Sequence, residues 1–399
     1  MLAAARLLIT ARALRGVGDG AVAVLLPASL LARGLGESAL GTFTSVTLLG
    51  SALATLGLGA LAHRIAPRRI LFGACGLLAA TGLGLAFAPS YGWLLAIGFL
   101  GTFNPSGGDV SVFLPTEQAL LGGPGSAPER TARFARYNVA GAAGAALGSW
   151  AAGQPARFGV GIEQSTEVAL LAYAASSLAL AALYLPLQVG RARTGSLEAA
   201  PRGPLVHSRG TVLRLAALFS LDSFGGGFAI QTILVAWLIH RFDASLVLIA
   251  NTMAVSAVLA ALSQLAAPAL ARRLGLIRTM VYTHLPANVF LIAAAFMPSA
   301  PLAVACLWLR ASLSQMDVPA RQAYVMSVVP EAERTAAASV TNVPRSLGTA
   351  ASPWLAGQLL AAGALGWPLV LGGALKITYD LLLLAGFRHR PEPDEPPRP

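Results

Sequence analysis

Charge is what this chain has least of. Only 11% of its 399 residues are Asp, Glu, Lys or Arg, while 56% are hydrophobic and the mean hydropathy is +0.68. An ordinary soluble domain carries about 25% charged residues. So little charge cannot cover a water-facing surface, and lipid must be the main solvent. Lysine is almost absent: Lys376 is the only one, and arginine supplies the rest of the 28 basic residues. Cysteine is limited to Cys75 and Cys306, both inside apolar runs, which speaks against a disulfide framework or a cysteine metal site. No His/Cys/Asp group has metal-ligand spacing, and no Ser/His/Asp constellation stands out. No metal, cofactor or enzymatic activity is therefore expected. The net charge of +11 does not point to nucleic acid, because the basic residues cluster between apolar runs. A signal peptide is not expected either: Arg6, Arg12 and Arg15 interrupt the first residues, and the apolar pattern continues to Leu31.

What is present is a series of twelve apolar stretches, each long enough for about 30 Å of hydrocarbon. They fall at roughly 8–31, 39–62, 70–88, 92–118, 131–153, 166–189, 211–239, 244–270, 279–297, 301–327, 335–361 and 364–387. The organisation reads as an N-terminal bundle over 1–189, a polar cytoplasmic linker over 190–210, a C-terminal bundle over 211–387 and a Pro-rich charged tail, expected to be disordered, over 388–399. Alternate loops carry Arg64, Arg68 and Arg69, then Arg130 and Arg133, the linker arginines, Arg272, Arg273 and Arg278, and Arg334. The opposite loops carry Arg33, Arg157 and Arg241 alone. The positive-inside rule makes the first set cytoplasmic and places both termini inside a cell inner (plasma) membrane.

The two halves repeat in the same orientation. Shifted by 204 positions, PARQA (319–323) lands on PTEQA (115–119) and ERTA (333–336) on ERTA (129–132). Without a gap, Asn342-Val343 lands on Asn138-Val139, Gly348 on Gly144, Trp354 on Trp150 and Ala356-Gly357 on Ala152-Gly153. Parallel repeats of this kind build many secondary transporters.

The loop GALAHRIAPRR (59–69) carries a resemblance. Through Gly59, Leu61, Arg64, Arg68 and Arg69 it is similar to the Gly-x-Leu-x-Asp-Arg-x-Gly-Arg-Arg/Lys signature of the major facilitator superfamily, with His63 at the Asp position and the second Gly missing. In the second half PALARRLGLIR (268–278) places Arg272 there. The resemblance implies an all-α membrane protein of twelve transmembrane helices in two parallel six-helix repeats, with helices 1 and 7 beside a central cavity. It makes Gly59, Arg64, Arg68 and Arg69, with Glu117 and Arg321 near the same face, a cytoplasmic gate or scaffold. Helix 4 lacks the Arg of drug-exporting members. GAAGAALG (141–148) keeps Gly141, Gly144 and Gly148 on one stripe without the antiporter Pro, which suits close helix packing.

Ionisable residues inside a membrane are functional candidates by default. Asp19 lies mid-depth in helix 1 between glycines, with Arg15 one turn away as a possible structural partner. Asp222 lies at matching depth in helix 7, before Gly225-Gly226-Gly227, with no basic neighbour within a helical turn. Asp222 is thus the stronger proton-coupling candidate, with Asp19 second. Cavity candidates are Asn104, Asp109, Gln231, Arg310, Gln315, Asp317 and Arg345. Arg345 needs an anionic partner, which is either Asp317 or a substrate carboxylate or phosphate. Asp317 also has Arg321 four residues on, Glu117 is expected to meet loop arginines such as Arg68, and Lys376 and Asp380 read as a neutral pair. The function expected is secondary active transport of a small molecule by alternating access, proton-coupled, as a monomer in the lipid bilayer, with export of amphiphilic or cationic compounds. The alternatives are exchange or import of organic anions through Arg345 and Arg310, and a non-transporting receptor or scaffold.

Overall fold

The structure, a computed structural model, describes residues 2–61, 65–105, 112–122, 127–187, 208–330 and 333–387. These residues form sixteen helices and no strand. In chain order they are α1 (Leu2–Ala32), α2 (Glu37–Leu61), α3 (Pro67–Ala86), α4 (Tyr91–Leu100), α5 (Leu114–Leu121), α6 (Ala127–Ala152), α7 (Gln154–Arg157) and α8 (Ile162–Tyr184). There follow α9 (Arg209–Gly227), α10 (Gln231–Phe242), α11 (Leu246–Leu274), α12 (Leu276–Phe296), α13 (Ala300–Ser314), α14 (Asp317–Ser327), α15 (Arg334–Ala361) and α16 (Trp367–Phe387). Eight spans among the described residues are long and apolar enough to cross a membrane. With α4 and α5, α9 and α10, and α13 and α14 each taken as one interrupted crossing, and the four-residue α7 set aside, sixteen helices make twelve crossings.

Three stretches expected as continuous helices are thus interrupted, and the local sequence explains each break. α4 stops at Gly101, shortly before Pro105, and the residue before a proline is pushed out of helical conformation. α9 runs into Gly225-Gly226-Gly227, three residues each costing a helix about 1 kcal/mol relative to alanine. α14 restarts after Gln315 and Met316 with Pro319 in its first turn, where a missing N–H is harmless. The gate candidate Arg64, the cavity candidate Asp109, the linker up to 207 and the tail from 388 lie outside the described residues.

The chain folds into two compact units. Unit 1 comprises 1–194, 230–258 and 353–365. In it α1 packs on α6 and α8, α3 on α8, and α2 on α4. The α1–α6 contact is made by glycine: a Cβ on Gly20 would sit 2.1 Å from the Ala145 carbonyl oxygen, and one on Gly148 only 1.9 Å from that of Val17. Small residues let helices approach this closely where lipid offers no hydrophobic drive for association. The segments from the second half are tied in by polar contacts. Trp354 N donates to Ser45 Oγ (2.8 Å), Gln358 Nε2 donates to Ser38 Oγ (2.6 Å), and His240 Nε2 lies 2.7 Å from Glu37 Oε1.

Unit 2 comprises 195–229, 259–352 and 366–399. Its core gathers Val212, Leu215 and Phe219 of α9, Met280 of α12, Tyr324 of α14, and Tyr379, Leu383 and Phe387 of α16. Large apolar side chains such as Leu178, Phe296 and Leu382 point outward. On a spanning helix that is the face lipid covers.

Candidate functional site: two buried charge clusters

Each unit buries its own cluster of ionisable side chains. In unit 1, α1 delivers Arg15 and α5 delivers Glu117, both almost wholly buried. Arg15 Nη1 donates to Glu117 Oε1 (2.7 Å) and Nη2 donates to Oε2 (2.5 Å), the two-pronged geometry that suits guanidinium and carboxylate. Tyr184 of α8 donates to Glu117 Oε1 (2.5 Å), and Tyr137 of α6 donates to Oε2. The guanidinium lies over the Phe113 ring at 4.4 Å. A buried ion pair holds only if its remaining hydrogen-bond capacity is met, and the two phenols meet it here.

This overturns two expectations. Glu117 does not meet Arg68, which lies against the Phe72 ring instead. Arg15 does not hold Asp19. The Asp19 carboxylate accepts from the Tyr173 hydroxyl (3.2 Å) and makes no ion pair among the described residues. Arg15 is taken because Glu117, arriving from α5, sets both its oxygens against the guanidinium fork, while Asp19 bonds Tyr173 instead.

Unit 2 holds the larger cluster. Asp222 of α9 is expected to stand apart from basic residues, and it does not. Lys376 Nζ of α16 donates to its Oδ1 (2.6 Å) and Arg321 Nη1 of α14 donates to its Oδ2 (3.1 Å). Sequence distance misled because both partners arrive from other helices. Arg321 also meets Asp317 at 3.2 Å. Arg345 consequently does not pair with Asp317: its Nε donates to Ser223 Oγ (2.9 Å), and it makes no ion pair among the described residues. Lys376 and Asp380 do not pair with each other either. Asp380, fully buried, accepts from Asn288 Nδ2 (3.3 Å) and faces His284 Nδ1 at 2.9 and 3.1 Å. Glu117 and Arg321 therefore each sit inside their own unit as buried ion-pair members.

The other candidates scatter. Asn104 is buried where α4 gives way to the break. Gln231 opens α10 with Nε2 buried and unbonded. Gln315 Oε1 accepts from Gln264 Nε2 at 3.3 Å. Arg310 makes no ion pair among the described residues, and its Nε is buried without a partner. Gly59 lies in α2, and Arg68 and Arg69 are exposed at the start of α3. Tyr137, Tyr173 and Tyr184 are cluster members that the sequence did not single out, and His284, the one histidine expected within a helix, carried no role there. The signal available was a histidine inside an apolar run; the tyrosines gave none, because their hydroxyls matter only through what they meet.

Comparison with known proteins agrees with this architecture. The profile of the Major Facilitator Superfamily matches residues 8–316. An uncharacterised membrane protein of Saccharomyces cerevisiae, YJR124C, is 24% identical over an alignment covering 80% of each chain. Among solved structures, the nucleoside transporter NupG superposes with a TM-score of 0.74 at 14% identity, covering 97% of this chain and 100% of that one. The D-xylose–proton symporter gives 0.74 at 15%, covering 96% and 97%. A bacterial homologue of the human lysosomal transporter Spinster, inward-facing and unoccupied, gives 0.68 at 15%, covering 96% and 94%. At such identities the likeness speaks for the fold, while the profile match spans most of the chain: this multi-pass membrane protein belongs to the major facilitator superfamily, and is a transporter rather than an enzyme.

Proposed function

We propose that the protein is a proton-coupled secondary active transporter working by alternating access, with Asp19 as the coupling carboxylate. The observation that carries this reading is the contrast between the two membrane aspartates. Asp222 is neutralised by Lys376 and Arg321 in direct contact, whereas Asp19 bonds a phenol, makes no ion pair among the described residues, and feels the guanidiniums of Arg12 and Arg15 only through space. A carboxylate already balanced by two fixed cations gains little from a proton. One held by a neutral donor can load and release it as its surroundings gain and lose water. The order expected from sequence is thereby reversed. The two six-helix repeats, 1–189 and 211–387, are the bodies that would move, as a monomer in a plasma membrane with both termini inside. Small neutral polar molecules form the first test panel, since the fold neighbours include a nucleoside transporter and a D-xylose–proton symporter.

The test uses purified protein. Thermal-shift screening of nucleosides, pentoses, organic anions and organic cations identifies a ligand, because binding only the folded state raises the melting temperature. Proteoliposomes then separate exchange from uphill uptake. Asp19→Asn is expected to retain exchange and lose uptake driven by a pH gradient; uphill uptake like the parent's would refute the assignment.

A second reading has its own observation. Arg310 is a membrane cation with no acid to balance it among the described residues. A substrate carboxylate or phosphate would supply that balance, making the protein an organic-anion exchanger. Stabilisation by organic anions alone, lost in Arg310→Gln, would favour it. Export of cationic compounds loses part of its support, because Asp222 and Asp317, counted as cavity acids, are occupied by Arg321 and Lys376.

A further inference from the structure

The inner end of the unit 2 cluster holds a group that the coupling role of Asp19 does not use. His284 is buried on α12, wedged between α9 and α16. Its Nδ1 faces both oxygens of Asp380, at 2.9 and 3.1 Å. Its Nε2 lies 3.5 Å from Lys376 Nζ and 3.7 Å from Asp222 Oδ1. The ring of Tyr379 stands edge-on to the imidazole at 6.0 Å. On its own helix Asn288 bonds the same Asp380. From α14, Arg321 reaches Asp222 and Asp317 but not the histidine, and Arg310 of α13 makes no ion pair among the described residues.

Charge counting comes first. Among the described residues the cluster holds the acids Asp222, Asp317 and Asp380 against the bases Lys376, Arg321 and Arg345. Counting Arg345, which bonds Ser223 and none of the acids, three bases stand near three acids and the cluster balances with His284 neutral. Nδ1 meets the Asp380 oxygens at 2.9 and 3.1 Å and the Asn288 amide nitrogen at 3.2 Å. A carboxylate accepts only, so Nδ1 carries the hydrogen and donates to Asp380, the Asn288 amide gives its own hydrogen to Asp380 Oδ2, and the Nε2 lone pair is left toward Lys376.

We propose that His284 is a second proton-binding site of this transporter, held by Asp380 as a positioning residue, and that its protonation changes the partner of Asp222. A proton from water adds to Nε2 and the imidazole becomes imidazolium. The bond that Nε2 accepted from Lys376 is lost, and two cations now face each other across 3.5 Å, both directed at Asp222 Oδ1. Imidazolium takes the carboxylate and the ammonium withdraws, so a tie between α9 and α16 becomes a tie between α9 and α12. The exchange occurs where α9 and α16 are in near backbone contact: a Cβ on Gly225 would lie 3.0 Å from the Gly372 carbonyl oxygen. Loosening the side-chain tie there frees the segment of α9 just before its break. The inference rests on the reading of the chain as proton-coupled but assigns a different residue.

The chain carries two built-in reporters, because Lys376 is its only lysine and it has only five histidines. Full-length protein in detergent is labelled with 15N-lysine and 15N-histidine, with His63, His207, His240 and His389 replaced by glutamine so that His284 reports alone. Expected at pH 9 is a neutral ring protonated on Nδ1, which takes up a second hydrogen as the pH is lowered, with the Lys376 ammonium signal moving in step. A ring that stays neutral to pH 5, or that carries its hydrogen on Nε2 at pH 9, would overturn the site. A Lys376 signal unmoved while His284 titrates would overturn the partner exchange. Asp380→Asn, folded as judged by gel filtration, should mix the tautomers; an unchanged ring spectrum would overturn the positioning role, and the parent spectrum decides the proton site even if that variant fails to fold. Neither readout depends on transport, so failure here leaves the Asp19→Asn assay standing, and the reverse.

Discussion

Arg15 and Glu117, 102 residues apart in the chain, meet in unit 1 as a two-pronged ion pair closed off by two tyrosine hydroxyls. The repeat-equivalent of Glu117 is Arg321, and it too pairs across to its unit's first helix, at Asp222. The same site in each repeat thus carries an intrahelical-bundle pair of opposite polarity, acid on α5 in unit 1 and base on α14 in unit 2.

The pair should be destabilising to break and cheap to remove. Glu117→Gln strands a buried guanidinium, at a cost of about 3–5 kcal/mol. The double variant Arg15→Met, Glu117→Leu removes both charges and should recover most of that loss. Thermal unfolding in detergent checks the order; a double variant less stable than Glu117→Gln would contradict it.

Lys376 and Asp222 should behave as one unit. Lys376→Met is expected to lower the melting temperature clearly, and Asp222→Asn in the same chain to restore part of it, with a coupling of about 1–3 kcal/mol in a double-mutant cycle. Additive effects would mean that the 2.6 Å contact carries no coupling.

Within unit 1, Gln358 and Ser38 lie in hydrogen-bond contact. If transport alternates access, this contact between an α15 and an α2 residue must open in each cycle. Ser38→Cys with Gln358→Cys, oxidised, should cut transport at least tenfold and recover on reduction. Undiminished transport in the crosslinked protein would show that the contact stays closed throughout.

Orientation is checked by labelling in cells, with Cys75 and Cys306 replaced. Glu163→Cys, on an exposed first turn of α8, should react with an impermeant reagent from outside. Arg69→Cys, exposed at the start of α3, should react only after permeabilisation. The opposite pattern would invert the topology.

Gly148→Val should be poorly tolerated, because the added atoms meet the Val17 carbonyl at 1.9 Å and backbone cannot yield as a side chain can. Overpacking of this kind costs about 1–3 kcal/mol or more. A folded variant with the parent's melting temperature would show that α1 and α6 can separate without penalty.

The sequence by itself determined that this is a membrane protein, that its halves repeat, and which superfamily its motif loop resembles. Those properties live in local hydropathy, in arginine bookkeeping and in the alignment of PTEQA with PARQA, none of which needs a neighbour in space. It also named nearly every aspartate and arginine that matters, because an ionisable residue in an apolar run is conspicuous. The Asp317–Arg321 pair, one turn apart, is present; what it assigned wrongly was most of the other partners. Arg15 was matched to Asp19 and Lys376 to Asp380 because each lies one turn away, whereas the partners taken were Glu117 and Asp222 on other helices. Only the tertiary structure decided those pairings. In a low-dielectric interior a charge goes to whichever partner offers the best hydrogen-bond geometry, and that is set by how helices pack, not by their order along the chain.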